Sequence, residues 1–396
     1  MNSSDILIVG GGIAGLSAAS ALSAHAKVTV LEAEEAVGYH SSGRSATMLH
    51  YALGDPQVRA LTLASRGFFE RPTEGFTDVP LGHRMPVLVH AREEEVSALE
   101  ELQGAIAPFA DLERIEESGI LELCPVIRTG EGGSVAGLVD HNGIRLDPHA
   151  LLQGHVRTLR RNSGELVTGA RVAAIRKMDW DGGFVGHPTD RFAWVGLKRA
   201  RKGNWEVETD DYRLFDAPVL INAAGAWADT IARMARLKPI GLAPLKRTII
   251  TFDGPAGADL SGWPFVKTVA DELYFAPESG RLFASPMDEV PTDASDAQPD
   301  EYEVALAAHR IKQRTRLKVE RIHSRWAGLR TFAPDRHLVA GFDPGAEGFF
   351  WLAGQGGFGL QTSPVMAAVT ESLIARTSWP IETVGPEELS PARFSR

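Results

Sequence analysis

The stretch Asp-Ile-Leu-Ile-Val-Gly-Gly-Gly-Ile-Ala-Gly, residues 5–15, decides the fold. Its apolar residues enter a glycine-rich turn, which is followed by the helix-compatible residues Leu16 to His25 and by a second apolar run, Val28 to Leu31. A strand, a helix and a strand in this order predict a βαβ unit. Because a continuously apolar strand is buried on both faces, we predict an α/β protein with a doubly wound, Rossmann-type sheet.

The glycine turn also predicts a ligand. Gly10, Gly12 and Gly15 form the pattern G-x-G-x-x-G, in which the first glycine permits a tight turn, the second admits a pyrophosphate and the third lets the helix pack on the strand. Glu32 ends the second strand, where its carboxylate can accept hydrogen bonds from ribose hydroxyls. This unit predicts a dinucleotide site, but it does not separate NAD from FAD.

Composition excludes several classes of partner. The 396 residues include 41 basic and 51 acidic side chains, and the net charge of −10 argues against a nucleic-acid partner. A single cysteine, Cys124, can form neither an intramolecular disulfide nor a thiolate zinc site, and the scattered histidines lack metal-ligand spacing. No apolar run is long enough to span a bilayer. We therefore predict a cytoplasmic protein with no metal and no integral membrane segment.

The pattern of predicted secondary structure changes after the first βαβ unit. Short strands around Val87, Tyr274 and Leu282 and a charged helix over 92–102 predict a second, α+β domain built on a mixed or antiparallel sheet. A helix over 151–162 and a short strand over 219–221 are assigned to the nucleotide domain. Residues 178–204 are interpreted as a hairpin insertion and residues 288–300 as a solvent loop.

Four further stretches carry a family resemblance: GYHSSGRSA (38–46), NAAGAWAD (222–229), WAGLR (326–330) and GQGGFGLQTSP (354–364). Together with the glycine turn they resemble the FAD-dependent D-amino acid oxidase and glycine oxidase family, and within it the bacterial D-arginine dehydrogenases. The resemblance implies non-covalent FAD, an FAD-binding domain assembled from residues 1–82, 145–230 and 325–396, and a substrate-binding domain of residues 83–144 and 231–324.

The motifs and the resemblance assign residues to the cofactor. The small, polar turn from Ser42 to Ser45 suits pyrophosphate and ribityl contacts. Thr362 and Ser363 before Pro364 predict the N-cap of a helix over 365–375, whose positive end could face the flavin. The full set of predicted cofactor residues is Gly10, Gly12, Ile13, Ala14, Gly15, Glu32, Ala33, Ser41, Ser42, Gly43, Arg44, Ser45, Val172, Ala223, Ala224, Gly225, Trp227, Gly328, Gly354, Gly356, Gly357, Phe358, Gly359, Leu360, Gln361 and Thr362.

The substrate residues follow from the resemblance alone. It implies that Arg330, Tyr274 and Arg247 hold the carboxylate of an α-amino acid and that the carbonyl of Gly357 contacts its amine. An arginine and a tyrosine suit this role, because a guanidinium pairs with a carboxylate through two hydrogen bonds and a phenol adds a third. The implied reaction is hydride transfer from Cα to flavin N5, giving an imino acid that hydrolyses to a keto acid.

This sequence departs from D-arginine dehydrogenases at the side-chain pocket. Met48 and Leu53 replace a histidine and a tyrosine, and Val87 replaces the acid that meets the guanidinium of the substrate. His50 reaches the pocket only through a local register shift. Because a cation buried without a partner is costly, we expect a neutral or apolar D-amino acid to be preferred to D-arginine. The D-preference itself comes from the family.

Three alternatives remain open at this stage. The same carboxylate clamp would suit a secondary amine such as an N-substituted glycine, as in glycine and sarcosine oxidases. A 2-hydroxy acid dehydrogenase would need a base for the hydroxyl proton. A flavin-binding electron-relay subunit without its own substrate would have no use for the clamp. Whether O₂ or a quinone reoxidises the flavin is also open.

Overall fold

A computed structural model describes residues 2–178 and 203–395. Residues 179–202, which carry the predicted hairpin insertion, lie outside the described residues. The α-helices are α1 Ile13–Leu22, α2 Pro56–Glu70, α3 Val96–Ile106, α4 Glu117–Leu123, α5 Pro148–Arg161, α6 Ala228–Met234, α7 Glu301–Arg314, α8 Gly359–Ala375 and α9 Pro386–Leu389. Short 3₁₀ turns span Ser41–Arg44, Glu93–Glu95, Gly225–Trp227 and Pro391–Phe394.

Within residues 2–178 and 203–395 the strands form four sheets. They are β1 Asn2–Ser3, β2 Ile6–Val9, β3 Val28–Leu31, β4 Met48–Leu49, β5 Gly82–Arg84, β6 Val87–Arg92, β7 Glu113–Glu116, β8 Ser134–Asp140, β9 Ile144–Leu146, β10 Glu165–Val167, β11 Val172–Lys177, β12 Trp205–Thr209, β13 Leu214–Ala217, β14 Val219–Asn222, β15 Ala243–Phe252, β16 Phe265–Thr268, β17 Tyr274–Glu278, β18 Arg281–Ser285, β19 Val290–Pro291, β20 Ile322–Phe332, β21 Val339–Phe342 and β22 Phe349–Ala353.

The nucleotide-binding half is built on a six-stranded sheet. Its order is β10-β3-β2-β14-β22-β21, and its strands are parallel except for β21, which runs antiparallel to β22. The ILIV sequence of β2 is buried throughout, because β2 lies at the centre of the sheet between β3 and β14. The small-residue helix α1 packs against α5 and α8. The predicted α/β class and Rossmann-type sheet are therefore confirmed.

Helix starts in this half follow ordinary capping chemistry. Asp55 and Asp147 are the N-caps of α2 and α5, and their carboxylates accept hydrogen bonds of 2.9 Å from the backbone N–H of Val58 and Ala150. In both helices a proline occupies the first turn, where its missing N–H has no intrahelical partner to lose.

The substrate half is a nine-stranded mixed sheet. Its order is β19-β15-β18-β17-β16-β6-β8-β7, and β20 pairs with β15 along ten register positions, from Ala243 opposite Phe332 to Phe252 opposite Ile322. Side chains alternate between the faces of a strand. One face buries an apolar cluster that includes Met48, Val87, Phe265, Tyr274 and Phe283.

The predicted residue ranges of the two domains stay predictions. Strand β20 crosses the predicted boundary at residue 325 and lies wholly in the nine-stranded sheet, while α8 lies in the apolar core of the six-stranded sheet. Among the described residues, no helix is both long and apolar enough to cross a membrane.

Candidate active site

A long cavity opens at the carboxyl ends of the parallel strands β2, β3, β14 and β22. Ligands of doubly wound sheets bind at this edge, because the loops that leave the strands diverge there. Most of the predicted cofactor residues line it: Gly10, Gly12, Ile13, Ala14, Glu32, Ala33, Ser41, Ser42, Arg44, Ser45, Val172, Ala223, Ala224, Gly225, Trp227, Gly328, Gly354, Gly356, Gly357, Gly359 and Leu360. Gly15, Gly43, Phe358, Gln361 and Thr362 lie outside this lining.

The glycine turn leaves no room for side chains at two positions. Gly10 has a φ of +113°, and a β-carbon there would lie 2.4 Å from the carbonyl oxygen of Ala223. A β-carbon on Gly15 would lie 1.9 Å from the carbonyl oxygen of Gly10. Gly12 is different, because its β-carbon would meet only Ser42 Oγ, at 3.4 Å. Gly10 and Gly15 therefore shape the turn, and Gly12 faces the space that a phosphate can occupy.

Helix α1 begins at this turn without a side-chain cap. Its N-cap is Gly12, and the N–H of Ile13 donates to Ser42 Oγ at 3.0 Å. The first turn of a helix has backbone N–H groups without intrahelical partners and carries partial positive charge. An uncapped helix that opens into a cavity fits a pyrophosphate.

Glu32 lies where the second ligand contact was predicted. It is 8% exposed, its Oε2 accepts a hydrogen bond of 2.6 Å from Gly11 N, and its Oε1 accepts one of 2.9 Å from Glu34 N. Burial raises the pKa of this carboxyl, and the two backbone donors oppose the shift. Each oxygen keeps a lone pair for a ribose hydroxyl.

The turn from Ser41 to Arg44 joins the two halves of the molecule. Ser41 Oγ donates to the carbonyl of Leu329 at 2.6 Å. The Arg44 guanidinium donates to the carbonyls of Ala297 and Ala327 and pairs with Asp296 at 2.6 Å. Arg44 thus borders the cavity while its charged end contacts the 294–298 loop of the substrate half.

The predicted cap of the last long helix is wrong. Helix α8 begins at Gly359, with Phe358 as N-cap, so Thr362, Ser363 and Pro364 lie inside it. Pro364 has no N–H for the carbonyl of Leu360, and Ser363 Oγ donates to that carbonyl instead, at 2.9 Å. This local replacement lets the helix pass through a proline. Its N-terminal residues Gly359 and Leu360 border the cavity, as the predicted orientation requires.

Several lining residues were not assigned to the cofactor from the sequence, although Tyr39, His40 and Gln355 lie within the quoted motifs. They include Glu34, Tyr39, His40, Ala170, Arg171, Thr230, Met234 and Gln355. His40 lies 4.6 Å from Trp227, measured between ring centroids, and its Nε2 is 3.0 Å from Glu34. Residues 170 and 171 lead into β11, and only Val172 was assigned there from the resemblance.

Arg330 lies on the wall of the cavity at its substrate end. Among residues 2–178 and 203–395, nothing accepts a hydrogen bond from its guanidinium or pairs with it. Burial, and after it the nearby Arg247 cation, lowers the pKa of Arg330 to about 10. A β-carbon placed on Gly357 would lie 3.5 Å from Arg330 Cδ and Nε, so these two predicted residues are neighbours.

Tyr274 supplies a second unpaired group. It is 2% exposed, and its hydroxyl has no hydrogen-bond partner in the described part of the chain. The phenol interacts electrostatically with Arg330. The ring packs against Phe265 and Phe283, with centroid distances of 5.3 and 6.1 Å. A buried hydroxyl without a partner costs free energy, which a ligand oxygen placed between Tyr274 and Arg330 would recover.

Arg247 is already paired. Its Nε donates to the carbonyl of Asp288 at 2.6 Å, and its Nη2 lies 3.1 Å from Glu289 Oε1. Arg330 interacts electrostatically with both Tyr274 and Arg247. Among the described residues Arg330 and the Tyr274 hydroxyl have no partner, whereas Arg247 is held by Glu289 and by the carbonyl of Asp288.

The predicted side-chain pocket residues divide into two groups. Met48 and Val87 belong to the apolar cluster that holds Tyr274. His50 is 3% exposed, its Nδ1 lies 3.2 Å from Ala52 N, and its ring centroid is 5.4 Å from that of Phe265. Burial and then Lys267 lower its pKa to about 3, so it is a neutral imidazole. Leu53 is partly buried and belongs neither to that cluster nor to the cavity lining.

Comparisons with known proteins fit this geometry. A family model described as FAD dependent oxidoreductase matches residues 5–373. The chain is 24% identical to hydrogen cyanide synthase subunit HcnC of Pseudomonas aeruginosa, over 65% of this chain and about half, 55%, of that protein. It is also 24% identical to bovine FAD-dependent oxidoreductase domain-containing protein 1, over 99% of this chain and 84% of that protein.

Solved structures share the fold. Glycerophosphate oxidase from Mycoplasma pneumoniae, with FAD bound, superposes with a TM-score of 0.80 at 18% identity and covers 98% of this chain and 99% of its own. Glycine oxidase from Geobacillus kaustophilus gives a TM-score of 0.80 at 19% identity with the same coverage. The cofactor is FAD, and the family match spans both halves of the molecule. The chain belongs to the family of FAD-dependent oxidoreductases.

Proposed function

We propose that this oxidoreductase oxidises the Cα–N bond of an α-amino acid. The observation that carries the proposal is an unmatched guanidinium, Arg330, on the wall of the FAD cavity, together with the unmatched buried hydroxyl of Tyr274, which interacts with it electrostatically. A carboxylate matches both groups at once, because it accepts two hydrogen bonds from a guanidinium and one from a phenol.

The chain's own residues orient the substrate. Arg330 and Tyr274 fix the carboxylate, and the neighbouring carbonyl of Gly357 is available to accept a hydrogen bond from the amine. With three contacts on the groups around one carbon, the direction of the Cα–H bond is set. FAD supplies the acceptor for the hydride that leaves Cα as the C=N bond forms. The imino acid then hydrolyses to a keto acid.

The amine enters in its neutral form, so the protein does not need a strong base. His50 does not supply one, since it is buried with a pKa of about 3 and its Nδ1 faces Ala52 N. This observation disfavours a 2-hydroxy acid as substrate, because the hydroxyl proton must be taken by a base in that reaction.

The side chain carries no positive charge in this proposal. Met48 and Val87 pack with Tyr274, so the wall near Cα is apolar. Arg330, which lines the cavity, has no ion-pair partner among the described residues and would repel a cationic side chain. We propose neutral or apolar D-amino acids over D-arginine, with the D-preference taken from the family resemblance.

Two other functions remain as alternatives. An N-substituted glycine presents the same carboxylate to Arg330 and Tyr274 and differs only in its amine. An electron-relay subunit is disfavoured, because an unpaired guanidinium on the cavity wall and an unpaired phenol that interacts with it serve no purpose in a relay.

The test is anaerobic reduction of the bound flavin by a panel of D-amino acids, L-amino acids, N-alkyl glycines and 2-hydroxy acids. We expect bleaching of the flavin band by neutral D-amino acids such as D-leucine or D-methionine, and a lower rate with D-arginine. Reduction by N-alkyl glycines alone would favour the secondary-amine alternative. Failure of every amine in the panel would refute the proposal.

A further inference from the structure

The place of the Arg330 guanidinium depends on the backbone that carries it. In the part of the chain that the structure describes, no group accepts a hydrogen bond from this guanidinium, and Arg330 lies near the end of β20. The position of such a group matters for a reaction, because an error of about 1 Å in the placement of a bound substrate can lower a rate by about 100-fold. The contacts that hold this part of β20 therefore bear on the chemistry of the site.

The outer edge of β20 is bound by two loops that line the FAD cavity. Strand β20 pairs with β15 along its inner edge, and in an antiparallel pair every second residue points its N–H and C=O away from the partner strand. Three alternate carbonyls on the outer edge accept hydrogen bonds from these loops: Ala327 from Arg44 Nη1 at 3.3 Å, Leu329 from Ser41 Oγ at 2.6 Å and Thr331 from Gly356 N at 2.9 Å. Arg330 lies between the last two of these carbonyls.

The hydrogen bond from Ser41 is the shortest of the three and the nearest to Arg330. The carbonyl of Leu329 belongs to the peptide unit whose nitrogen is that of Arg330, so the Ser41 hydroxyl fixes the backbone of Arg330 directly. Leu329 is 5% exposed, and a substitution that removes the donor leaves its carbonyl without a protein partner. Loss of this hydrogen bond should therefore let the Leu329–Arg330 peptide shift.

Two further features hold the turn of Ser41 against β20. A β-carbon on Gly328 would lie 3.2 Å from Arg44 Cβ, so the absence of a side chain at residue 328 permits the close approach of the turn and the strand. Every nitrogen of the Arg44 guanidinium has a partner within the protein: the carbonyls of Tyr39, Ala297 and Ala327 and the carboxylate of Asp296. The turn and this part of β20 therefore pack as one unit.

We propose that Ser41 is a positioning residue for the substrate: through the carbonyl of Leu329 it holds Arg330 where the guanidinium binds the substrate carboxylate. This inference rests on the proposed function and deepens it, because it names a residue that acts on the substrate through Arg330. Ser41 also borders the FAD cavity, so a single turn sets the wall of the cofactor site and the position of the carboxylate anchor.

The experiment is a double-mutant cycle on carboxylate binding. Butyrate is titrated against the oxidised holoenzyme as wild type, Ser41→Ala, Arg330→Ala and the double variant, all at saturating FAD, and the perturbation of flavin absorbance gives each Kd. We expect Ser41→Ala to raise the Kd by about three- to tenfold, within the range that one hydrogen bond contributes. In the Arg330→Ala protein the same change should alter the Kd by less than about 1.5-fold, because the group through which Ser41 acts is gone.

Further variants assign the effect to the hydroxyl. Ser41→Thr keeps the donor and should stay within about 1.5-fold of the wild-type Kd, whereas Ser41→Cys keeps the size of the side chain but is a weak donor and should resemble Ser41→Ala. Ser295→Ala is the matched control, because this exposed serine also donates to a backbone carbonyl, that of Asp293 at 3.1 Å. It should bind butyrate as wild type does. FAD content and thermal unfolding show whether each variant is folded, and Ser41→Cys replaces Ser41→Ala in the cycle if the alanine variant does not hold FAD.

Flavin reduction supplies a second measurement. The amine that reduces wild type fastest is mixed anaerobically with Ser41→Ala, and the rate constant for bleaching is followed to saturating substrate. We expect this rate constant to fall by about threefold or more, because a displaced carboxylate also displaces the Cα–H bond. A serine that only stabilised the contact between the two halves would lower the melting temperature and leave this rate constant unchanged.

The outcomes separate this inference from the proposed function. If Arg330→Ala weakens butyrate binding but Ser41→Ala does not, or if Ser41→Ala weakens it equally with and without Arg330, the positioning role is refuted while the proposed function stands. If Arg330→Ala binds butyrate as tightly as wild type, the proposed function and this inference fail together. If Ser41→Thr binds as weakly as Ser41→Ala, the hydroxyl is not the cause and the assignment to Ser41 is wrong.

Discussion

The two ends of the FAD cavity satisfy their polar groups in opposite ways. At the nucleotide end the protein supplies its own partners: Glu32 accepts from Gly11 and Glu34, and Ser42 accepts from Ile13. At the substrate end Arg330 and the hydroxyl of Tyr274 have no partner among the described residues. The first end is a preorganised cradle, and the second lacks an anion.

This difference in pairing indicates how each end of the cavity binds its ligand. Hydrogen bonds within the protein rigidify the cradle, so FAD meets groups that are already in place. The unpaired groups at the substrate end form hydrogen bonds only when a ligand binds. Because one of them is the Arg330 cation, the part of the ligand that binds there should be anionic. Substitutions at the nucleotide end should therefore cost fold and cofactor, and those at the substrate end should cost activity.

The largest effect is expected at Gly15. Gly15→Ala places a β-carbon 1.9 Å from the carbonyl of Gly10, which forces α1 away from the turn. We expect a loss of about 3 kcal/mol or more in the free energy of unfolding, or no folded protein. Gly12→Ala is the matched control, because its β-carbon has 3.4 Å of space. It should fold and hold FAD weakly. Equal denaturant midpoints for the two variants would contradict the assigned roles.

Arg330→Ala should produce the largest loss of activity in a folded enzyme. Without the guanidinium, the substrate carboxylate is no longer held and the Cα–H bond is no longer oriented. Truncating one partner of a charged pair costs about 2–5 kcal/mol, which corresponds to a fall in kcat/KM of about 30-fold to several thousandfold. FAD content should stay at the wild-type level. Arg325→Ala, an exposed arginine of the same strand paired with Glu301, is the control and should keep full activity. A loss of FAD in Arg330→Ala would mean that Arg330 contributes to binding the cofactor and not the substrate.

Glu32→Ala tests whether the nucleotide end of the cavity binds FAD through this carboxylate. It removes the acceptor for the ribose hydroxyls and leaves Gly11 N and Glu34 N without their partner. We expect the Kd for FAD to rise by about tenfold to 100-fold, with kcat unchanged when FAD is saturating. The measurement is FAD titration of the apoprotein by fluorescence quenching. An unchanged Kd for FAD would show that Glu32 stabilises only the backbone around Gly11 and Glu34 and does not bind the cofactor.

Tyr274→Phe should have the smallest effect. Only one hydrogen bond to the carboxylate is lost, so kcat/KM should fall by about two- to twelvefold, which corresponds to about 0.5–1.5 kcal/mol. Because the hydroxyl is unpaired without substrate, the variant should melt at or above the wild-type temperature. A lower melting temperature would mean that the hydroxyl has a partner within the protein.

The sequence predicts the two ends unequally. The glycine turn and Glu32 lie within one βαβ unit, where local spacing determines geometry, and the structure has these elements where they were expected. The start of α8 could not be predicted, because Thr362, Ser363 and Pro364 have the composition of a cap, and the hydrogen bond from Ser363 Oγ to the carbonyl of Leu360 is visible only in the folded chain. The roles assigned to the cofactor and substrate residues stay predictions.

The substrate end depends on contacts between distant segments. Tyr274 and Arg330 come from the separate strands β17 and β20. No periodicity predicts that these side chains lack partners, because pairing is a property of the whole packing.

The central claim is that Arg330 is an unpaired cation that binds the carboxylate of the substrate. One measurement tests this claim most directly. The Kd of a non-reactive carboxylate, butyrate, is determined from flavin absorbance in wild type and Arg330→Ala between about pH 7 and pH 10.5. Because burial lowers the pKa of Arg330 to about 10, the cation is present below that value and is lost above it, so wild-type affinity should be constant near neutrality and fall as the pH passes about 10. Arg330→Ala should bind at least about 30-fold more weakly at neutral pH and show no such fall. Equal affinity in the two proteins at pH 7 would contradict the account.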